Sequence, residues 1–192
     1  YAEDIYVGYR YFETFAPDKV LYPFGFGLGY TEFEVKAVSM GMDGANVHFE
    51  AEVKNTGAAP GKQVVQVYCG APQGQLGKPA RVLCAFGKTR LLQPGESEVL
   101  SLECPVNSLA SYDDCGATGH KSAWVLEAGE YEVSLRTDAH TVVDTFTFEV
   151  ASDIIYNEGN LHNGDLVVAD SKLAFAEGSI EYLSRADGFA NY

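Results

Sequence analysis

The chain of 192 residues carries 27 acidic against 13 basic side chains, a formal net charge of −14, with 46% hydrophobic and 21% charged residues. This balance argues against the basic patches that nucleic acid and anionic membrane surfaces need, and no stretch approaches the roughly 18 apolar residues of a membrane span. The apolar share suffices for one good core plus flanking segments.

Residues 1–33 hold two aromatic, glycine-punctuated blocks, Ile5-Tyr6-Val7-Gly8-Tyr9-Arg10-Tyr11-Phe12 and Leu21-Tyr22-Pro23-Phe24-Gly25-Phe26-Gly27-Leu28-Gly29-Tyr30-Thr31. Glycine and proline interrupt any helical or strand period, and the segment is too short for a core of its own. It needs a neighbour to pack on, so we expect the end of a preceding domain here. Gly25-Phe26-Gly27-Leu28-Gly29 superficially resembles a nucleotide loop. A strand pattern, Thr31–Val38, follows it, and the helix N-terminus that phosphate binding uses is missing.

Residues 34–150 read as β. Val47, Phe49, Ala51 and Val53 alternate with His48, Glu50, Glu52 and Lys54, the pattern of a half-buried antiparallel strand. Asn55-Thr56-Gly57 supplies a turn. Gln63–Cys69 is apolar and β-branched on both faces, which predicts a central strand. Arg81–Phe86 follows, with Val82, Cys84 and Phe86 expected on one face. Gln93-Pro94-Gly95-Glu96 is a turn in which proline presets φ and glycine accepts a positive value. Val99–Cys104, Ala123–Leu126 with the single Trp, Tyr131–Thr137 and Thr145–Val150 complete seven or eight short strands. Two antiparallel sheets face to face, an immunoglobulin or fibronectin type III-like all-β sandwich, is the economical solution. Pro60, Pro79 and Pro105 blunt its edges.

Residues 151–192 change character. Asn157–Asp165 is polar and reads as a linker or extended loop. Ser179–Ala186 predicts a short helix capped by Ser179, too short to stand alone in water.

Cys69, Cys84, Cys104 and Cys115 are spaced 15, 20 and 11 residues apart, without the tight spacing of a zinc site. Buried thiols are expected, and a Cys84–Cys104 bridge is left open because its geometry is not in the sequence. The absence of a disulfide framework and of Asn-x-Ser/Thr sequons leans toward a bacterial cytoplasm. The start at Tyr1, with neither Met nor leader, points to a processed chain or a fragment. His48, His120, His140 and His162 are scattered, and no Ser/His/Asp set is formed. Glu50 and Glu52 lie on one strand face roughly 7 Å apart and read as a solvated face. Asp113-Asp114 reads as a turn or capping element, with calcium as the rival.

The two N-terminal blocks closely resemble the junction in family 3 glycoside hydrolases (β-glucosidases and relatives), where an α/β sandwich domain hands over to a fibronectin type III-like domain. The ordered set behind them strengthens the resemblance: Val53-Lys54-Asn55-Thr56-Gly57, Gly61 through Tyr68, Lys78-Pro79-Ala80-Arg81, Ala85 through Thr89, Leu92-Gln93-Pro94-Gly95-Glu96, Leu109 through Asp113 and Gly129-Glu130-Tyr131. The resemblance runs from about Ile5 to Val150. It implies domain limits of 1–33 for the end of the preceding domain and aromatic joint, 34–150 for the fibronectin-like sandwich, and 151–192 for a linker and short helix. The tail, including Tyr182-Leu183-Ser184-Arg185-Ala186-Asp187, looks like the lead into a barrel domain in relatives of inverted domain order, which would make the chain an internal fragment.

Family members are typically retaining glycosidases that use a carboxylate nucleophile and a carboxylic acid roughly 5–5.5 Å apart. The family nucleophile sits in a Ser-Asp-Trp-like context that this sequence lacks, and its acid/base Glu belongs upstream of Tyr1. The resemblance therefore implies no catalytic residue here, no cofactor, a parent acting on β-linked glucosides or short oligosaccharides, and the parent's catalytic domains as partners. Gly8, Tyr22, Pro23, Phe24, Gly25, Gly27 and Tyr30 are expected to build the structural joint. Tyr9, Arg10 and Tyr11 are the candidates for a position near substrate, since aromatic platforms suit sugar faces; an arginine stacked on aromatics in the joint is the structural alternative. The rival to the whole reading is an autonomous carbohydrate-binding or cell-surface β-sandwich module.

Overall fold

The computed structural model describes residues 3–165. The helix expected over Ser179–Ala186 lies outside the described residues. Among the described residues there are ten strands: β1 Phe33–Met42, β2 Asn46–Asn55, β3 Val64–Gly70, β4 Val82–Lys88, β5 Ser97–Pro105, β6 Ser111–Asp113, β7 Ala123–Leu126, β8 Gly129–Arg136, β9 Val142–Val150 and β10 Ile154–Tyr156. They form two principal antiparallel sheets, ordered β1-β2-β5 and β4-β3-β8-β9, and a small flanking sheet ordered β10-β7-β6. This is the all-β sandwich that the alternation predicts.

Side-chain alternation fixes the register. On β2, Val47, Phe49, Ala51 and Val53 point inward and are all but fully buried. They meet Val65 and Val67 of β3 and Tyr131, Val133 and Leu135 of β8 from the opposite sheet. Each such aliphatic or aromatic side chain contributes roughly 1.5–3 kcal/mol on burial. Tyr131 and Phe148 stack at 5.3 Å across the β8–β9 pair.

The sandwich has a third layer. Gln66, Tyr68, Ser134 and Arg136 project from the outer face of the four-stranded sheet and yet are buried. The N-terminal segment lies over them, which explains why β3 reads as apolar on both sides. Within that segment the structure departs from the expected irregular chain: residues Tyr9–Phe15 form a helix, α1, followed by a 3-10 turn over Pro17–Lys19. Gly8 (φ +62°) and Ala16-Pro17 set the limits of α1, and two helical turns fit between these breaks although the run is too short to show a period.

Two further differences have local causes. Strands β6 and β10 are three residues each, below the length at which alternation is visible. Cys84 does not share a face with Phe86. The β3–β4 ladder pairs Val67 with Ala85 and Tyr68 with Leu83, so Cys84 is the extra residue of a β-bulge. The bulge turns Cys84 toward the core beside Ala85, whereas Phe86 is mainly exposed. All four cysteines are free thiols.

Asn55 ties the turns together at one end of the sandwich. Its Nδ2 donates to Ala59 O (2.8 Å) and Leu92 O (2.9 Å), and its Oδ1 accepts from Thr31 Oγ1 (2.7 Å) and Gly57 N–H (3.1 Å). A fully buried amide with two donated and two accepted bonds is satisfied. Its backbone closes on the turn at Gln93–Glu96, where Gly95 adopts φ +83°.

Candidate functional site

The two aromatic blocks form one structure on the outer sheet face. After Gly8, α1 presents Tyr9, Glu13 and Thr14 to the sandwich. Tyr9 Oη accepts from Leu83 N–H (2.8 Å), and its ring stacks on Phe24 (5.0 Å) and meets the edge of Tyr68 (6.0 Å). Thr14 Oγ1 donates to Arg10 O (2.6 Å) and accepts from Ala80 N–H (2.9 Å). Tyr9 is thus committed to the joint between helix and sheet. Tyr11 packs within the segment, against Phe12 and Phe15 at 5.3 Å each.

Glu13 is the anionic centre of the joint. Its buried carboxylate lies 2.7 Å from His140 Nε2 and 3.3 Å from Arg81 Nη1. Arg81 and Arg136 both donate to Ala139 O, at 2.6 and 3.0 Å, and Arg136 lies over the Tyr68 ring at 5.9 Å. Burial, followed by the neighbouring Arg81 charge, lowers the Arg136 guanidinium from its usual value, and burial pushes the Tyr68 phenol up. Glu13, Arg81, Arg136 and His140 therefore clamp α1 to β4 and to the β8–β9 connection. Sequence reasoning missed Glu13 and His140, which are 127 residues apart. The only available signal is a single carboxylate inside an aromatic run.

The second block turns at Pro23-Phe24-Gly25-Phe26. Phe26 N–H donates to Pro23 O (2.9 Å), and Gly25 takes φ +89° at the position where a type II turn needs it. A Cβ on Gly25 would lie 2.0 Å from Gln66 Nε2, so backbone and sheet face touch here. Phe24 O accepts from Ala139 N–H (2.9 Å). A Cβ at Gly27 meets open space. The structure brings Tyr9, Phe24 and Gly25 together against Tyr68 and Gln66, but leaves the rest of the block outward. Leu21, Tyr22, Leu28 and Tyr30 are 88%, 72%, 92% and 100% exposed. These side chains form an apolar ridge open to solvent on a segment anchored to the sheet.

Arg10 is separate from that ridge. It lines a cavity of about 640 Å³ between the start of the segment and the sandwich, with Asp4, Lys78, Cys84, Tyr112 and Trp124 also in the walls. Next to it Lys78 and Glu127 form a buried ion pair. Lys78 Nζ also donates to Pro72 O (3.0 Å) and Leu76 O (3.3 Å), and Glu127 accepts from the Leu76 N–H (3.2 Å). These bonds hold the 71–80 loop. Asp113, Asp114 and Cys115 place three possible metal donors within 4.8 Å. Asp113, however, accepts from Gly116, Ala117 and Thr118 N–H and from Thr118 Oγ1, at 2.6–2.9 Å. Burial raises its pKa, but the bonds from Thr118, Gly116 and Ala117 outweigh this and leave it lowered. Asp113 is the organiser of its loop. Glu50 faces solvent and accepts from Ser39 Oγ. Among the described residues no helix is long and apolar enough to cross a membrane.

Residues 63–139 match the fibronectin type III-like domain family. A β-glucosidase of Ruminococcus albus is 52% identical over 152 residues, covering 79% of this chain and 16% of the relative. β-Glucosidase A of Butyrivibrio fibrisolvens is 41% identical over 210 residues, covering 100% of this chain and 25% of the relative. The solved structure of a β-glucosidase from Paenibacillus barengoltzii superposes with a TM-score of 0.77 at 52% identity, over 81% of this chain and 18% of that one. The chain thus spans a quarter or less of the length of these relatives. In sequence and fold together, the chain matches the fibronectin type III-like region, with flanking segments, of family 3 β-glucosidases.

Proposed function

We propose that this chain is the non-catalytic structural part of a β-glucosidase-type retaining glycoside hydrolase that cleaves β-linked glucosides or short oligosaccharides. Its task is mechanical: to hold the catalytic domains of the same parent chain in register through the aromatic joint. The observation that carries this reading is the apolar ridge Leu21, Tyr22, Leu28 and Tyr30, fully presented on a segment that Glu13 and Tyr9 fasten to the sandwich. A ridge fixed in place before its partner arrives loses little entropy on docking. Gly8, Tyr22, Pro23, Phe24, Gly25, Gly27 and Tyr30 serve as that joint. Tyr9 and Tyr11 belong to its packing, and Arg10 is the member of the trio left to face the cavity. The tail beyond residue 150 is part of the same reading, as the lead into a further domain in the inverted order; one relative aligns over this tail as well as the sandwich.

The test pairs the denatured mass of the native gene product with hydrolysis of an aryl-β-glucoside. A product several-fold heavier than 20.8 kDa that hydrolyses the glucoside, while the isolated chain does not, supports the proposal. A native product of 20.8 kDa without hydrolysis overturns it and favours an autonomous sandwich module.

A further inference from the structure

The loop that follows β10 carries the one Asn-Gly step of the chain, Asn163-Gly164; each of the other asparagines precedes a residue with a side chain. The step is the centre of a tight turn. Asp165 N–H donates to His162 O (2.7 Å), and Asn163 and Gly164 both take positive φ, +31° and +80°, the pattern of a type I′ turn. Both residues are exposed. Among the described residues neither the Asn163 carboxamide nor the Gly164 N–H makes a hydrogen bond. The turn in its place fastens the loop to the small sheet. His162 lies flat on Trp124 of β7, with ring centres 4.0 Å and planes 9° apart, and meets Tyr156 edge-on at 5.7 Å. Its Nδ1 is 3.5 Å from Asp165 Oδ2, too far for a good hydrogen bond, and both ring nitrogens are buried without a hydrogen-bond partner. Stacking therefore holds the loop, helped by the paired Asn157 and Asn160 backbone bonds at 3.0 and 2.9 Å. The exposed Asp43-Gly44 step is built differently. Asp43 Oδ1 accepts from Ala45 N–H (3.1 Å) and Asn46 N–H (2.9 Å), and Oδ2 lies 2.9 Å from His48 Nε2. These contacts, the Asn46 amide foremost, hold its pKa at about 2, and an ionised carboxylate is a poor electrophile.

We propose that Asn163 is a spontaneous modification site, at which deamidation lengthens the main chain and unfastens the 157–165 loop from Trp124. When the turn opens, the Gly164 amide nitrogen attacks Asn163 Cγ. The new N–Cγ bond closes a succinimide ring, the Cγ–Nδ2 bond breaks, and ammonia leaves with the proton of the Gly164 N–H. A solvent water then opens the ring. Its addition at Cγ gives aspartate, and its addition at the main-chain carbonyl carbon of residue 163 gives isoaspartate, whose chain runs through Cγ. One water enters, one ammonia leaves, and no atom is oxidised or reduced. Glycine at 164 suits the step because no Cβ crowds the attacking nitrogen, and asparagine is among the thermolabile side chains. Ring closure requires the turn to open, and a single backbone bond, from Asp165 N–H to His162 O, closes it. The isoaspartyl product carries an extra methylene in the main chain of that turn. The bond to His162 O is then lost, and His162, which no hydrogen bond retains, leaves the Trp124 face together with its loop.

The experiment ages the complete native gene product in mildly alkaline buffer and maps its peptides by fragmentation that separates aspartate from isoaspartate. The expected result is conversion at Asn163 ahead of every other asparagine and ahead of Asp43, with isoaspartate and aspartate both present. Hydrogen exchange of the aged protein should be several-fold faster at the Asn157, Asn160 and Asp165 amides, which are bonded within the loop, and unchanged along β2. Asn163→Asp supplies the new charge without the longer main chain and should leave that exchange near the value of the fresh protein. Asn163→Gln should not convert. The map on the unsubstituted protein decides the question even where a variant disturbs the turn. Conversion led by any other site, conversion at Asn163 only in urea, or conversion without faster exchange overturns the proposal, as does an Asn163→Asp protein that exchanges as fast as the aged one.

Discussion

Glu13 and His140 are joined side chain to side chain at 2.7 Å, although one stands on the short N-terminal helix and the other in the β8–β9 connection. Together with Arg81 they make the helix a fixed part of the sandwich. Without the covering segment, the outer face of the four-stranded sheet would present Gln66, Tyr68, Ser134 and Arg136 to water.

Replacing Glu13 by Gln keeps the shape and removes the charge that faces Arg81 and His140. Because both partners retain partial solvent access, the expected loss is below that of a fully buried pair, about 1–3 kcal/mol. Urea unfolding measures it. Faster exchange of the Ala139 amide, which is bonded to Phe24 O, locates it at the joint; unchanged exchange there would show that the clamp is not what holds the second aromatic block.

Lys78 and Glu127 are each about 4% exposed at the side chain, a more demanding environment. Lys78→Met leaves a buried carboxylate unpaired and should cost about 3–5 kcal/mol. Adding Glu127→Gln should recover much of that, because the remaining polar group can still accept from the 71–80 loop. A double-mutant cycle in urea reads the coupling, and additive losses would argue that the two side chains act independently.

The sandwich was legible because β2, β5 and β8 alternate over long runs and because Pro94-Gly95 punctuates them. The aromatic blocks were legible as a unit needing a partner. Other features depend on pairings that distance in sequence conceals. Asn55 reads as a turn residue in Asn55-Thr56-Gly57, but its bonds reach back to Thr31 and forward to Leu92. Cys84 reads as one step in an alternating strand until the bulge shifts its phase. Helix α1 occupies seven residues between two breaks, fewer than periodicity needs. Lys78 stands in a recognisable Lys-Pro-Ala-Arg run, yet its role requires Glu127, 49 residues on.

Asn55→Ala tests the tie between turns. It takes from Ala59 O its side-chain donor and from Thr31 Oγ1 its side-chain acceptor, while Leu92 O keeps the Gly61 N–H and Gly57 N–H keeps Glu32 O. The lost bonds to Ala59 O and Thr31 Oγ1 and the cavity left by a fully buried amide set the loss, about 1–3 kcal/mol. A shift in the urea midpoint at unchanged slope would show a stability effect confined to the native state. A loss under about 0.5 kcal/mol, the level of an ordinary surface substitution, would show that water replaces the amide.

The Asp113 loop should respond to acid. The folded pKa of Asp113 lies below its ordinary value of 3.8, so the unfolded chain takes up the proton first. Its contribution to stability is therefore complete above the unfolded value and disappears as pH falls from there through the lower folded value. Exchange of the Gly116, Ala117 and Thr118 amides should accelerate across that window. In Asp113→Asn the same amides should already exchange faster at neutral pH and show a weaker acid response. Acid-insensitive exchange in the unsubstituted chain would rule out the carboxylate as the organiser of the loop.

The ridge makes the opposite demand, since it should matter little to the chain alone. Leu28 and Tyr30 are 92% and 100% exposed, so Leu28→Ser with Tyr30→Ser removes almost no packing from the sandwich. Stability of the isolated chain should stay within about 0.5 kcal/mol of the parent value, while binding of a hydrophobic dye falls. In the complete gene product the same pair should lower glucoside hydrolysis by weakening the docking of the catalytic domains, with susceptibility to proteolysis at the joint rising in parallel. Intact activity and unchanged proteolysis would mean that the ridge is not the surface through which this domain supports its parent.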